Sequence, residues 1–104
     1  MSFYLYILQC SDGSYYTGHT DDLEKRVAAH QSGAISGYTS ARRPVQPVFV
    51  QDFPSRDEAF HAERQVKGWT RKKKEALIQQ NWNRLQELSR TSNSSRSFGS
   101  TGSP

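Results

Sequence analysis

Phe3 to Gly18 reads FYLYILQCSDGSYYTG. The run Phe3 to Gln9 is apolar and aromatic, too short for a core helix and rich in strand formers, so it predicts a strand. Ser11-Asp12-Gly13-Ser14 is a turn signal, with Asp-Gly the favoured pair for a tight hairpin, and Tyr15-Tyr16-Thr17-Gly18 resumes strand chemistry. The two strands are expected to pair antiparallel, which commits the chain to a sheet.

Outward from this hairpin, Thr20 or Asp21 is expected to cap a helix that carries Glu24 in its first turn and Leu23 and Val27 on its apolar side, and that ends at Ser32-Gly33. Ala34 to Pro47 reads as a loop, and Val48 to Phe53 (VFVQDF) as a third strand. Pro54-Ser55 breaks it. Ser55 caps the next helix, with Glu58 completing a capping box, and Gly68 ends or bends that helix. Thr70 caps a further helix over Arg71 to Gln80, and Trp82 to Leu88 (WNRLQEL) is an amphipathic stretch with Trp82, Leu85 and Leu88 on one side. The predicted order is β-β-α-β-α-α, an α+β domain with a short three-stranded antiparallel sheet flanked by helices. The domain is placed at residues 1–88. From Ser89 to Pro104 the Ser- and Gly-rich chain cannot bury enough surface to offset its ordering entropy, and is expected to be a disordered tail.

A length of 104 residues allows one core. The single Cys10 excludes an internal disulfide framework and a multi-cysteine zinc site. The start MSFYLYILQC lacks a basic region followed by a long apolar stretch, and no apolar run approaches the ~20 residues that span a bilayer, so a cytoplasmic setting without a membrane partner is expected. Lys and Arg total 14 against 10 acidic residues, a net charge of +4 that favours polyanionic partners.

Within Ser55 to Trp69 (SRDEAFHAERQVKGW), a helical period puts Ala59, Ala62, Val66 and Trp69 on one arc with Glu63 inside it. A carboxylate on the core side costs several kcal/mol unless it is paired or coordinates a cation. A buried salt bridge to an arginine is the plain reading. Tyr4 and Tyr6 alternate with apolar residues on the first strand and Tyr16 stands on the second, as core tyrosines also do. Arg26 and His30, four apart, project from one side of their helix. Taken together the set has a chemical use. Phosphodiester cleavage needs an activated water, a guanidinium or cation to take charge developing on the phosphate, and a metal to assist the leaving group. Tyr or His suits the first task, Arg26 the second and Glu63 the third. A lone carboxylate suits Mg²⁺ or Mn²⁺, which keep most of their waters.

Tyr4-Leu5-Tyr6, Tyr16-Thr17-Gly18, Asp22-Leu23-Glu24-Lys25-Arg26 with His30, Gly37-Tyr38-Thr39-Ser40 and Ala62 to Trp69 (AERQVKGW), in this order, resemble the GIY-YIG nuclease superfamily, and more narrowly its small stand-alone branch. The resemblance runs from about Phe3 to Ile78. It implies that Tyr6 and Tyr16 line the scissile phosphate, one of them as general base, that Arg26 polarises the phosphate, that His30 takes part in base activation, and that Glu63 binds the metal. Tyr38 matches a recurrent loop tyrosine. Tyr4 stands where the family name has Gly and Thr17 where it has Ile; neither change removes a catalytic group.

The function expected is that of a metal-dependent DNA endonuclease, structure-directed or weakly selective, in DNA repair or processing, with one Mg²⁺ or Mn²⁺. Nothing in the chain resembles a helix-turn-helix or zinc-finger reading head. Tyr38, Arg42, Arg43, Lys67 and Arg71, Lys72, Lys73 and Lys74 are the expected contacts to DNA, with RNA the secondary partner. The alternative is a non-catalytic nucleic-acid-binding or repair-complex interaction module of the same fold.

Overall fold

The computed structural model describes residues 2–35 and 37–92. The described residues fall into two compact units, one up to Gly68 and one from Trp69 onward. The first holds β1 (Phe3–Gln9), β2 (Tyr15–Thr20), α1 (Leu23–Ser32), β3 (Gln46–Phe53) and α2 (Arg56–Lys67); the second holds α3 (Arg71–Ile78) and α4 (Trp82–Ser92). The α+β class and the three-stranded antiparallel sheet are as the sequence predicts. The order carries one helix more than β-β-α-β-α-α, because the amphipathic stretch from Trp82 forms α4 and continues past Leu88 to Ser92. Of the expected tail, residues 93–104 lie outside the described residues.

β1 is the middle strand of a sheet ordered β2-β1-β3, antiparallel to both neighbours. Covered on both faces, it buries Leu5, Tyr6, Ile7 and Leu8 in succession, which is why its sequence is a continuous apolar run with no clean alternation. Tyr6 and Leu8 point to one face, where they cluster with Cys10 and Val45 against Tyr16, Leu23 and Val27. Leu5 and Ile7 point to the other, opposite His19 and Thr17 of β2, and α2 packs there through Ala59, Glu63 and Val66. β3 begins two residues earlier than its apolar core suggests. Pro47, which cannot donate to a ladder, is tolerated because β3 is an outer strand and its pairing with β1 slips between Ile7 and Leu8.

The hairpin closes through a three-residue loop rather than a two-residue one. Cys10 N donates to Ser14 O at 2.8 Å, Asp12 Oδ1 accepts from Ser14 N at 3.0 Å, and Gly13 takes the left-handed conformation (φ 86°) that such a loop requires. The cap of α1 is Asp22, whose Oδ1 accepts from Lys25 N at 3.1 Å, and not Thr20 or Asp21. Thr20 Oγ1 is already taken by Asp22 N at 3.1 Å, so the turn needs one more residue before the helix starts. Gly33 closes α1 with φ 83°. Ser55 caps α2 as expected, accepting from Glu58 N at 3.2 Å while its hydroxyl donates to Glu58 Oε2 at 3.0 Å.

In the second unit Thr70 caps α3 and Asn81 Oδ1 accepts from Arg84 N at 3.1 Å at the start of α4. The two helices pack on each other, α3 burying Ala76 and Leu77. Trp82, expected on the apolar side of its helix, is 57% exposed.

Candidate active site

Three side chains from three different segments form a buried polar chain. Tyr6 Oη lies 3.0 Å from His30 Nε2, and His30 Nδ1 lies 2.8 Å from Thr39 Oγ1. Tyr6 comes from the middle strand, His30 from the last turn of α1, and Thr39 from the loop before β3. A neutral imidazole holds both bonds in either tautomer, passing one proton along the chain in one direction or the other. Burial, reinforced by the nearby Arg26 charge, pushes the His30 pKa down, so the ring is neutral at pH 7. Burial also raises the Tyr6 phenol far above its ordinary value, with Tyr16 and Glu63 adding to the effect and Arg26 opposing it. Tyr6 is 1% exposed, and this enclosure is the main cause of the rise.

Gly18 makes room for the chain. It pairs with Tyr6 across the strands, and a Cβ built on it would stand 2.5 Å from Tyr6 Oη. Tyr16 continues the aromatic surface outward, its ring centroid 5.0 Å from that of His30 and 6.4 Å from that of Tyr6. Tyr38 follows at 6.1 Å from Tyr16 and is 43% exposed. Arg42 lies 4.0 Å over the Tyr38 ring, donates to Tyr38 O at 2.9 Å, and pairs with Asp12 at 3.1 Å. Arg43 donates to Ser40 O at 3.0 Å. Both arginines expected on the DNA backbone therefore also shape the loop that delivers Thr39.

Glu63 is 8% exposed on α2, where the helical period placed it. It is paired, though not with an arginine. His19 Nδ1 donates to Oε1, and Lys67 Nζ lies 2.6 Å from Oε2. Burial is the largest single influence on the carboxyl and would raise its pKa; the hydrogen bonds and charges of Lys67 and His19 together outweigh it, so Glu63 is ionised and sits below its ordinary range. Lys67 is correspondingly raised by Glu63. Its ammonium, expected on nucleic acid, pairs with Glu63 here and also lies 5.8 Å from the Tyr16 ring centroid. Sequence reasoning passed over His19. The signal was available: Thr17 and His19 alternate onto the strand face opposite Tyr16, which α2 covers, and a carboxylate buried there needs a donor.

Arg26 is exposed on α1, one turn before His30, and its charge acts on both Tyr6 and His30. The fold thus gathers Tyr6, Tyr16, Arg26 and His30, with Glu63 joined to them through Lys67. Among the described residues no group of three or more His, Cys, Asp or Glu side chains could hold a metal ion. The donor chemistry fits one hard divalent cation that retains its waters: Glu63 is an ionised carboxylate, and the charge it meets on Oε2 is the half-exposed ammonium of Lys67. The run Arg71 to Lys74 lies on α3 of the second unit, where Arg71 pairs with Glu75 at 3.0 Å and Lys73 lies 4.5 Å over the Trp69 ring.

The chain is 47% identical over 77 residues to a UPF0213 protein of Bacillus pumilus, covering 74% of this chain and 79% of that one. It is 44% identical over 81 residues to a UPF0213 protein of Streptococcus pneumoniae, covering 78% and 82%. The solution structure of a UPF0213 protein from Bacillus halodurans is 46% identical, with a TM-score of 0.51 over 76% of this chain and 84% of that one. A second solution structure, of a protein from E. faecalis, is 39% identical with a TM-score of 0.55 over 77% and 85%. With the family model of the GIY-YIG catalytic domain matching residues 2–76, this chain belongs to the GIY-YIG family.

Proposed function

We propose that the protein is a divalent-metal-dependent endonuclease that hydrolyses phosphodiester bonds in DNA. The observation that carries this reading is the buried Tyr6–His30–Thr39 chain on one face of the sheet together with a buried Glu63 on the other, the two linked at the edge strand by Lys67, which pairs with Glu63 and lies near the Tyr16 ring.

In the tautomer with the proton on Nδ1, Thr39 Oγ1 accepts from His30 and the free Nε2 accepts from Tyr6 Oη. A water whose proton moves to Tyr6 Oη, as the phenol proton moves to His30 Nε2, attacks phosphorus in line. The P–O bond to the leaving alcohol breaks, and the alkoxide takes its proton from solvent. The imidazolium, whose pKa burial lowers, then loses its extra proton to solvent and is neutral again. The guanidinium of Arg26 binds two phosphate oxygens and stabilises the charge that develops on them. Glu63 would hold one Mg²⁺ or Mn²⁺, which when bound neutralises charge at the leaving oxygen.

The substrate class we propose rests on the aromatic rim of the site, since stacked rings hold unpaired bases without reading their sequence. Structure in the DNA, such as a nick, flap, branch or single strand, fits a site rimmed by Tyr16 and Tyr38, and DNA repair or processing in the cytoplasm fits that substrate. No described helix is long and apolar enough to cross a membrane. A second reading, a non-catalytic nucleic-acid-binding or repair-complex module, is favoured by one observation: Lys67 and His19 already satisfy both oxygens of Glu63, as in a structural ion pair. A cleavage assay on labelled duplex, nicked, flap, branched and single-stranded DNA with Mg²⁺, Mn²⁺ or chelator, beside Glu63→Ala, decides between them. Metal-dependent cutting that Glu63→Ala abolishes supports the nuclease. Tight binding with no cutting by the wild type supports the module.

A further inference from the structure

We infer that Lys67 is an exchangeable counter-ion, which occupies the cation position of Glu63 in the metal-free protein and is displaced when a divalent ion binds. This rests on the reading that Glu63 holds the metal. Four observations on the two residues carry it.

Glu63 is nearly buried and ionised, so it needs positive charge beside it at all times; an uncompensated carboxylate there would cost several kcal/mol. Its two oxygens are not equivalent. Oε1 faces His19, which sits on a strand of the sheet and has little freedom to leave. Oε2 faces Lys67, one helical turn along α2, at 2.6 Å. The Lys67 side chain is 49% exposed against 10% for Glu63, so its ammonium can swing into water about its own side-chain torsions with no movement of the backbone. A divalent ion that takes Oε2 meets the ammonium of Lys67 at close range, where like charges repel, and of the two partners Lys67 is the one able to leave. The evicted ammonium does not go far. It already lies 5.8 Å from the Tyr16 ring.

The consequence is competition between a tethered monovalent cation and a free divalent one for a single carboxylate oxygen. Removing the tethered one should tighten metal binding by about tenfold, the factor that corresponds to a competing ion pair worth about 1.4 kcal/mol. Lys67→Arg should not tighten it, because a guanidinium grips the same carboxylate with two parallel hydrogen bonds.

The test uses the full chain, stripped of metal, without DNA. Mn²⁺ is titrated calorimetrically into wild type, Lys67→Met, Lys67→Arg and Glu63→Gln. Separately, the Lys67 side-chain amino resonance of the wild type is followed by NMR as diamagnetic Mg²⁺ is added. The expected result is an about tenfold lower Kd for Mn²⁺ in Lys67→Met, no tightening in Lys67→Arg, loss of binding in Glu63→Gln, and release of the Lys67 amino signal from its ion-paired position at saturating Mg²⁺. If Lys67→Met binds Mn²⁺ no more tightly than wild type while Glu63→Gln still abolishes binding, the metal reading stands and the exchange is overturned. Mn²⁺ binding that is absent, or indifferent to Glu63→Gln, removes the ligand assignment and the exchange with it. Should Lys67→Met fail to fold, an unchanged Lys67 resonance at saturating Mg²⁺ overturns the exchange on the wild-type protein alone.

Discussion

A single hydroxyl separates the structural and chemical roles of Tyr6. Tyr6→Phe keeps the ring in its buried place and deletes the bond to His30, so stability should fall by about 1 kcal/mol, while single-turnover cleavage should slow by about 10²- to 10⁴-fold if the phenol is in the proton path. Urea denaturation read beside single-turnover kinetics separates the two effects. Glu63→Ala should abolish metal-dependent cutting and cost about 1 kcal/mol of stability, since the donor on His19 loses its acceptor while the ammonium of Lys67 returns to water. His30 makes stability depend on pH. Its folded pKa lies below the ordinary value, so the unfolded chain binds the proton first as pH falls, and the unfolding free energy should decline from about pH 6.5 downward, levelling only below the folded pKa. Denaturation curves from about pH 7.5 to about pH 5.5 should show this decline in wild type and a shallower one in His30→Gln.

At the scale of elements, what was legible in the sequence is what periodicity and punctuation encode. FYLYILQ could be read as a strand, Ser55 and Glu58 as a helix start, and Glu63 as a core-facing carboxylate, because each depends on near neighbours in the chain. The cap of α1 was misread by a residue or two for a physical reason. Thr20, Asp21 and Asp22 are all good caps, and the choice depends on Thr20 spending its hydroxyl on Asp22 N. Asp22→Ala should therefore cost about 1 kcal/mol in thermal denaturation, and Asp21→Ala, whose carboxylate meets only an exposed Arg56 at 3.4 Å, should cost much less. The partnerships that define the candidate site were less legible, since His19 with Glu63 and Thr39 with His30 join residues far apart in sequence. Gly18 was noticed as part of a pattern, but its reason, the Tyr6 hydroxyl directly above it, is a fact of strand register.

For the whole molecule, the charge of +4 sets the long-range behaviour toward a polyanion, and the α3 run is its densest part. Replacing Lys72, Lys73 and Lys74 together by glutamine should weaken DNA binding and flatten its dependence on salt, with the cleavage rate at saturating DNA little changed; fluorescence anisotropy across a salt series is the measurement. The change of slope is expected to be modest, because Lys73 is partly withdrawn over Trp69. The slipped pairing at Pro47 has a consequence of a different kind. A three-stranded sheet has two open margins, and an open margin is a template on which a second copy of the chain can hydrogen-bond and start a growing aggregate. On β3 that template is defective: Pro47 offers no N–H and the slip spoils the even spacing an incoming strand would need. Colloidal behaviour at high concentration thus hangs on one imino acid, and Pro47→Val, harmless to the core, should show itself first as a rise in scattered light.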